Sequence, residues 1–205
     1  SIIPHGLKNK FINVWKKRTE INNPISITYV SNASYYKHHI NVLKAVKEIY
    51  KKGIDVKLNL IGANVGAASD ILQKAIKIED AENYVRTTKF MNVNEIVDEL
   101  KSADIGVFAS SCENMPNTLV EMMGSGIPVA CSNRGPMLEV LGTNNFTFNP
   151  FKSNEIFNVL MDMINNYENA KLHGQICSET SKKFSWLKCS QDTFKNISKF
   201  DKYLN

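Results

Sequence analysis

Two carboxylates on one loop and the helix that follows it carry the strongest chemical signal in this chain. Glu113 lies in Ser110-Ser111-Cys112-Glu113-Asn114-Met115-Pro116-Asn117-Thr118, just past a hydrophobic strand-like run, and Glu121 follows it by eight positions. A carboxylate accepts two hydrogen bonds from vicinal hydroxyls, so the pair could grip two diols on one elongated ligand. Between them a helix start offers free backbone N–H groups and a positive dipole end, which suits a phosphate. Pro116 has no N–H, so the donors would be Met115, Asn117, Thr118 and Leu119. Spacing alone equally allows a solvated loop acid and a surface helix acid.

Stepping outward, the pattern from Ile25 alternates strand and helix. Strands are expected at Ile25–Ser31, Asp55–Ile61, Tyr84–Phe90, Asp104–Ala109, Ile127–Cys131 and Phe146–Phe148. Helices are expected at His39–Lys52, Ala68–Ile78, from Asn92 or Asn94 to Ser102, at Thr118–Gly124, Pro136–Leu141 and from Ser153 to about Asn166. Two more, near Glu168–Lys183 and Leu187–Tyr203, complete the chain. This alternation predicts an α/β protein with a parallel sheet of about six strands covered by helices on both faces. Such a sheet binds ligands at the carboxyl ends of its strands, where the strand order switches. Before Ile25, Ser1–Pro4 reads as a strand end, Lys8–Lys17 as a short helix and Asn22-Asn23-Pro24 as a linker turn.

The surroundings of the carboxylates carry a family resemblance. Glu113 and Glu121 form E-x7-E, followed by Met122-Met123-Gly124-Ser125-Gly126-Ile127-Pro128-Val129-Ala130-Cys131-Ser132. This resembles the corresponding block of retaining GT-B glycosyltransferases, glycosyltransferase family 4 in particular. Ile3-Pro4-His5-Gly6 resembles the family's I-P-N-G, Tyr36-Lys37 stands at its K-G, and Ile61-Gly62 ends its second strand. Arg134-Gly135-Pro136-Met137-Leu138-Glu139 resembles its G-G-x-P-E, and Phe184-Ser185-Trp186 its F-S-W. The chain thus resembles the C-terminal, donor-binding half of a GT-B enzyme: residues 1–24 a connecting segment, 25–183 the Rossmann-like nucleotide-sugar domain, 184–205 a closing helix. That helix's apolar face (Phe194, Ile197, Phe200, Tyr203, Leu204) would pack on an N-terminal half and be partly exposed here.

The resemblance implies roles. Glu113 would contact hydroxyls of the donor hexose and Glu121 the ribose hydroxyls, with the amides of Met115, Asn117 and Thr118 facing hexose and diphosphate. Lys37 would neutralise the diphosphate leaving group, and the base would rest near Phe90 and Met91. The family's usual second cation, an arginine after the first strand, is replaced here by Ser31-Asn32-Ala33, so Asn32 stands at that place and Arg134 or His38 would have to substitute. His38-His39 replaces the glycine of K-G and reads as helix-start polar residues. The implied reaction is hexose transfer from a nucleotide-diphosphate sugar, UDP- or GDP-linked, to a glycan or lipid-linked acceptor in bacterial surface polysaccharide (O-antigen, capsule, lipopolysaccharide) synthesis. No further cofactor and no metal is expected, since no D-x-D motif is present. A GT-B nucleotide-sugar 2-epimerase and a non-catalytic nucleotide-sugar-binding module remain alternatives.

Composition narrows the remaining classes. With 205 residues, 43% apolar and 22% charged, the chain is neither a disordered tail nor a disulfide-built miniprotein. No apolar run approaches the roughly 18 residues of a membrane span. The opening Ser-Ile-Ile-Pro-His lacks Met and a basic-then-apolar leader and reads as a cut into a longer chain. The net charge of +5 rests on spread lysines such as Lys44, Lys47, Lys51 and Lys52, with arginine only at 18, 86 and 134. That is a solvated face, not a nucleic-acid reader, and leaves peripheral membrane contact as an expectation. Cys112, Cys131, Cys177 and Cys189 form no C-x-x-C pair, which fits a reducing cytoplasm, and Cys112 is expected to be a buried, inert thiol. The glycines of Gly62-Ala63-Asn64-Val65-Gly66 lack the spacing of a dinucleotide fingerprint, so NAD is discounted.

Overall fold

The computed structural model describes residues 2–15, 19–143 and 145–201, with side chains to residue 199. Six strands form one parallel sheet: β1 (Ile25–Val30), β2 (Val56–Ile61), β3 (Val85–Thr87), β4 (Ile105–Phe108), β5 (Val129–Ser132) and β6 (Thr147–Phe148). Their order is β3-β2-β1-β4-β5-β6, so the direction of winding reverses between β1 and β4. The helices are α1 (His39–Lys51), α2 (Ser69–Ile78), α3 (Val93–Ser102), α4 (Asn117–Ser125), α5 (Met137–Leu141), α6 (Ser153–Asn165), α7 (Tyr167–Ser181) and α8 (Trp186–Asp201). α1 packs with α2 and α6, and α4 with α3, α5 and α7, so the sheet is covered on both faces. β4 and β5 are therefore buried at every position, which is why their sequences are nearly all apolar.

The elements differ from expectation where tertiary contacts win. β3 ends at Thr87, short of Phe90. It is an edge strand; the Thr88 amide still reaches Leu60 C=O of β2 at 3.1 Å, while the Thr88 carbonyl and hydroxyl accept the amides of Asn64 and Gly62 in the turn after β2, at 2.9 and 3.1 Å. Asn92 caps α3 in a reciprocal box with Glu95. Of the helix expected at 8–17, the described residues form only a 3₁₀ turn, Asn9–Phe11, and no strand forms at residues 2–4; residues 1, 16 and 17 lie outside the described residues. Instead, the amides of Asn13 and Trp15 go to the carbonyls of Gly124 and Ser125 at the end of α4, at 2.8 and 2.9 Å. Buried Asp104 ties the linker to β1: its carboxylate accepts the Asn22 amide at 3.3 Å and the Ser26 amide, in the strand, at 2.8 Å. Cys131 and Cys177 are buried, whereas Cys112 is exposed, correcting the expectation of a buried thiol. Its loop turns outward where the Ser111 amide bonds Tyr36 C=O.

α7 can lie against the start of β5 because of one glycine. A Cβ on Gly174 would stand 2.7 Å from the Gly126 oxygen and 3.0 Å from Ile127 C and Pro128 N, all backbone atoms that cannot rotate away. Gly174→Ala is expected to destabilise the fold by about 1–3 kcal/mol through overpacking. A urea-unfolding midpoint equal to that of the unchanged protein would show that this contact is looser than its geometry.

Candidate nucleotide-sugar site

The loops after β1 and β4 meet at the switch point. After β1, Ser31 continues the ladder by giving its amide to Ile61 C=O at 2.9 Å, and Ala33 gives its amide to Val65 C=O at 2.7 Å. The 3₁₀ turn Tyr35–Lys37 then returns the chain toward the sheet. Tyr29, fully buried in β1, donates its hydroxyl to Lys37 C=O at 3.0 Å and fixes that turn. Lys37 Nζ forms an ion pair with Glu113 Oε1, the two side chains being only 9% and 15% exposed. The rings of Phe108 and Tyr36 lie 5.3 and 5.4 Å from the ammonium, which further favours the charge.

Beside this pair opens a cavity of about 310 Å³, lined by Asn32, Lys37, Gly62, Phe90, Met91, Ile96 and Thr118, among others. Five residues singled out from sequence thus share one cavity: Asn32, Lys37, Phe90, Met91 and Thr118. Glu113 joins them through Lys37. Glu121 lies one turn into α4; burial raises its pKa above the ordinary carboxylate value, and Lys8 Nζ, 3.9 Å away, pulls it back. At the start of α4 the Asn117 amide is already given to Met115 C=O at 2.9 Å. The first-turn donors left for a ligand are those of Thr118 and Leu119; the Leu119 side chain is buried, so only its backbone can serve.

Two expected residues stand elsewhere. Met115 lines a separate groove of about 630 Å³ with Asn114, residues 2–4 and the start of α8. Arg134 is exposed, its guanidinium 5.8 Å above the Phe151 ring, and it does not line the cavity that holds Lys37. His38 and His39 are not simple polar residues of a helix start. His38 has left-handed backbone (φ 52°, ψ 34°). His39 is buried, stacks on Tyr29 at 4.7 Å, and is pushed down to about 4, chiefly by burial and then by the Lys37 charge. Burial also raises the Tyr29 phenol, so both rings are neutral around Lys37.

Two neighbours carry no sequence signal: Lys8 approaches Glu121, and Tyr29 anchors the Lys37 turn. His5 Nδ1 lies 3.1 Å from Asn117 Oδ1; His5 and His38 offer a clue, by standing where the resembled family has asparagine and glycine. Gly6 allows the His5 approach: its Cβ would meet Trp186 N at 2.1 Å, so only glycine fits beneath α8 there.

Residues 11–179 match the family described as glycosyl transferases group 1. The chain belongs to this family. Protein CapJ of Staphylococcus aureus is 23% identical to it over 132 residues, covering 63% of this chain and 33% of its own length. The Anabaena protein HepE, solved in complex with UDP and glucose, superimposes with a TM-score of 0.76 at 21% identity, covering 86% of this chain and 48% of that one. Sucrose-phosphate synthase from Thermosynechococcus elongatus superimposes at 0.83 with 16% identity, covering 99% and 53%. The C-terminal domain of LpcC, a group 1 protein from Francisella tularensis, gives 0.69 at 19% identity over 88% of this chain and 95% of that domain. This group 1 chain therefore spans a third of CapJ and about half of HepE and the synthase. Its sheet is one Rossmann-like half of a GT-B fold. Among the described residues, no helix is long and apolar enough to cross a membrane.

Chemically, the group 1 site offers a cation held beside a carboxylate, a second carboxylate a helix turn away, and helix-start amides between them. This set suits a ligand with a polyanionic centre and hydroxyl-bearing ends.

Proposed function

We propose that the chain is the donor-binding half of a retaining glycosyltransferase. It would transfer a hexose from a UDP-sugar to a glycan or lipid-linked acceptor in bacterial surface polysaccharide assembly, on the cytoplasmic side of the membrane. The observation that carries the reading is the Lys37–Glu113 pair at the β1/β4 switch point, beside the cavity lined by Asn32, Phe90 and Thr118. Lys37 and the Thr118 and Leu119 amides hold the diphosphate, Glu113 the hexose hydroxyls, and Glu121 the ribose hydroxyls. Phe90 and Met91 flank the base. As the glycosidic bond breaks, positive charge grows on the anomeric carbon and negative charge on the departing phosphate. A preplaced ammonium and helix dipole lower that barrier without reorganising. UDP is favoured over GDP by the HepE complex.

In this reading residues 25–183 form the nucleotide-sugar unit and α8 docks on the acceptor-binding half. Its outward side chains Leu187, Phe194 and Ile197 are exposed here. A thermal-shift panel of UDP-, GDP- and ADP-sugars against the full-length protein tests the proposal. A UDP-sugar at a hundred times its Kd should add about 2.7 kcal/mol of stability. If none of the three classes moves the melting temperature, the proposal fails.

A further inference from the structure

The site already described leaves one contact unused. His38 follows Lys37 directly and occupies the left-handed region at φ 52°, where a non-glycine residue is uncommon and needs a compensating contact. Its Nε2 lies 2.8 Å from Ser111 Oγ, across 73 residues of chain. The Ser111 hydroxyl donates to Tyr36 C=O at 3.3 Å, so its oxygen is the acceptor and His38 Nε2–H the donor. The Ser111 amide also donates to Tyr36 C=O, at 2.8 Å. The His38 ring meets Phe151 edge-on at 4.6 Å, and Asn41 holds the same loop by donating to Pro150 C=O at 2.8 Å. Ser111 is two residues before Glu113, and His38 is next to Lys37.

We propose that His38 is a positioning residue. By donating to Ser111 it fastens the loop after β1 to the loop after β4, and so sets where the Lys37 ammonium and the Glu113 carboxylate stand relative to a bound diphosphate sugar. The inference rests on the proposed glycosyltransferase reading for its kinetic consequence, and on geometry alone for the tie itself. Glycine would relax the backbone at this position, so the histidine carries a local conformational cost that its contacts must offset. A small displacement of groups that must meet reacting atoms is enough to slow a reaction strongly.

The experiment uses the full-length protein with UDP-sugar donors. His38→Gly removes the side chain and relieves the backbone, so its melting temperature should be unchanged or raised. Its kcat for transfer should nevertheless fall about tenfold, with donor KM altered far less. His38→Gln, which carries an amide nitrogen to the reach of Nε2, should recover most of the loss. Ser111→Ala should fall as far as His38→Gly, and the double variant no further than either, because both remove one tie. Undiminished kcat in His38→Gly, or losses that multiply in the double variant, would overturn the inference. Hydrogen exchange at the Ser111 amide needs no donor and should quicken about tenfold in His38→Gly. Unchanged exchange would overturn the tie itself. Failure of the unmutated protein to bind any nucleotide sugar would instead overturn the functional reading.

Discussion

Glu113→Gln should lower sugar transfer by about a thousandfold while leaving UDP affinity intact or tighter. The reasoning starts from the ion pair. Without donor, Glu113 satisfies the charge of Lys37, and both side chains are largely buried. A diphosphate that uses Lys37 competes with that carboxylate for the ammonium, and weakening the pair frees Glu113 for hexose hydroxyls. Glutamine keeps the shape but not the charge, so Lys37 meets the diphosphate without a competitor. The sugar loses its charged acceptor, whose hydrogen bonds are about twice as strong as neutral ones. Lys37→Ala is the opposite case: transfer and UDP affinity fall together, because the cation serves both. Removing one member of a buried pair also costs stability, so melting curves accompany the titrations. A Glu113→Gln protein that loses UDP binding in step with transfer would place the carboxylate at the nucleotide instead. One that transfers normally would remove Glu113 from the site.

Much of this arrangement was legible before the structure, for identifiable reasons. β4 and β5 are buried on both faces, so their apolar runs announced them. β3 is shorter than its sequence suggests because an edge strand has one neighbour, and past the Thr88 amide its chain pairs with the turn after β2 rather than with the strand. The segment 8–17 has helical composition, yet its amides at Asn13 and Trp15 are claimed by carbonyls of α4. No local pattern shows such a claim. The loop of Glu113 and Glu121 stands out by its own carboxylates and helix start, and Lys37 by family resemblance. That they meet follows from the adjacency of β1 and β4, which is a property of strand order. The Ser111–His38 and Lys8–Glu121 contacts join distant stretches; His38 is marked by standing where the resembled family has glycine, but nothing local marks Ser111 as its partner or Lys8 as the partner of Glu121. Arg134 was a reasonable substitute for the absent arginine by position after β5. The Phe151 ring holds it outside the Lys37 cavity.

Acidification from pH 7.5 to 5 should cost the protein about 4 kcal/mol of stability through two buried histidines. His39 is 4% exposed and His173 2% exposed. Burial is the leading cause that pushes each down to about 4 from an ordinary value of 6.5. His39 sits on Tyr29 and beside Lys37, so a second positive charge there is opposed by the first. His173 meets the Phe146 ring edge-on at 5.1 Å and Cys177 Sγ at 3.5 Å, neither of which stabilises an imidazolium. The sign follows from proton counting. Between pH 6.5 and 4 the unfolded chain binds protons at these rings and the folded chain does not, so acid favours unfolding. The stability is complete above 6.5 and is lost as the pH falls toward 4. At pH 5 each histidine accounts for about 2 kcal/mol. Glu121 works the other way, because a carboxyl raised by burial takes up its proton more readily in the folded state and offsets part of the loss. The urea midpoint should drop by roughly 1–2 M between pH 7.5 and 5. His173→Phe, which cannot charge, should remove about half of that drop. A midpoint that does not move over this range would mean that both rings accept a proton without unfolding.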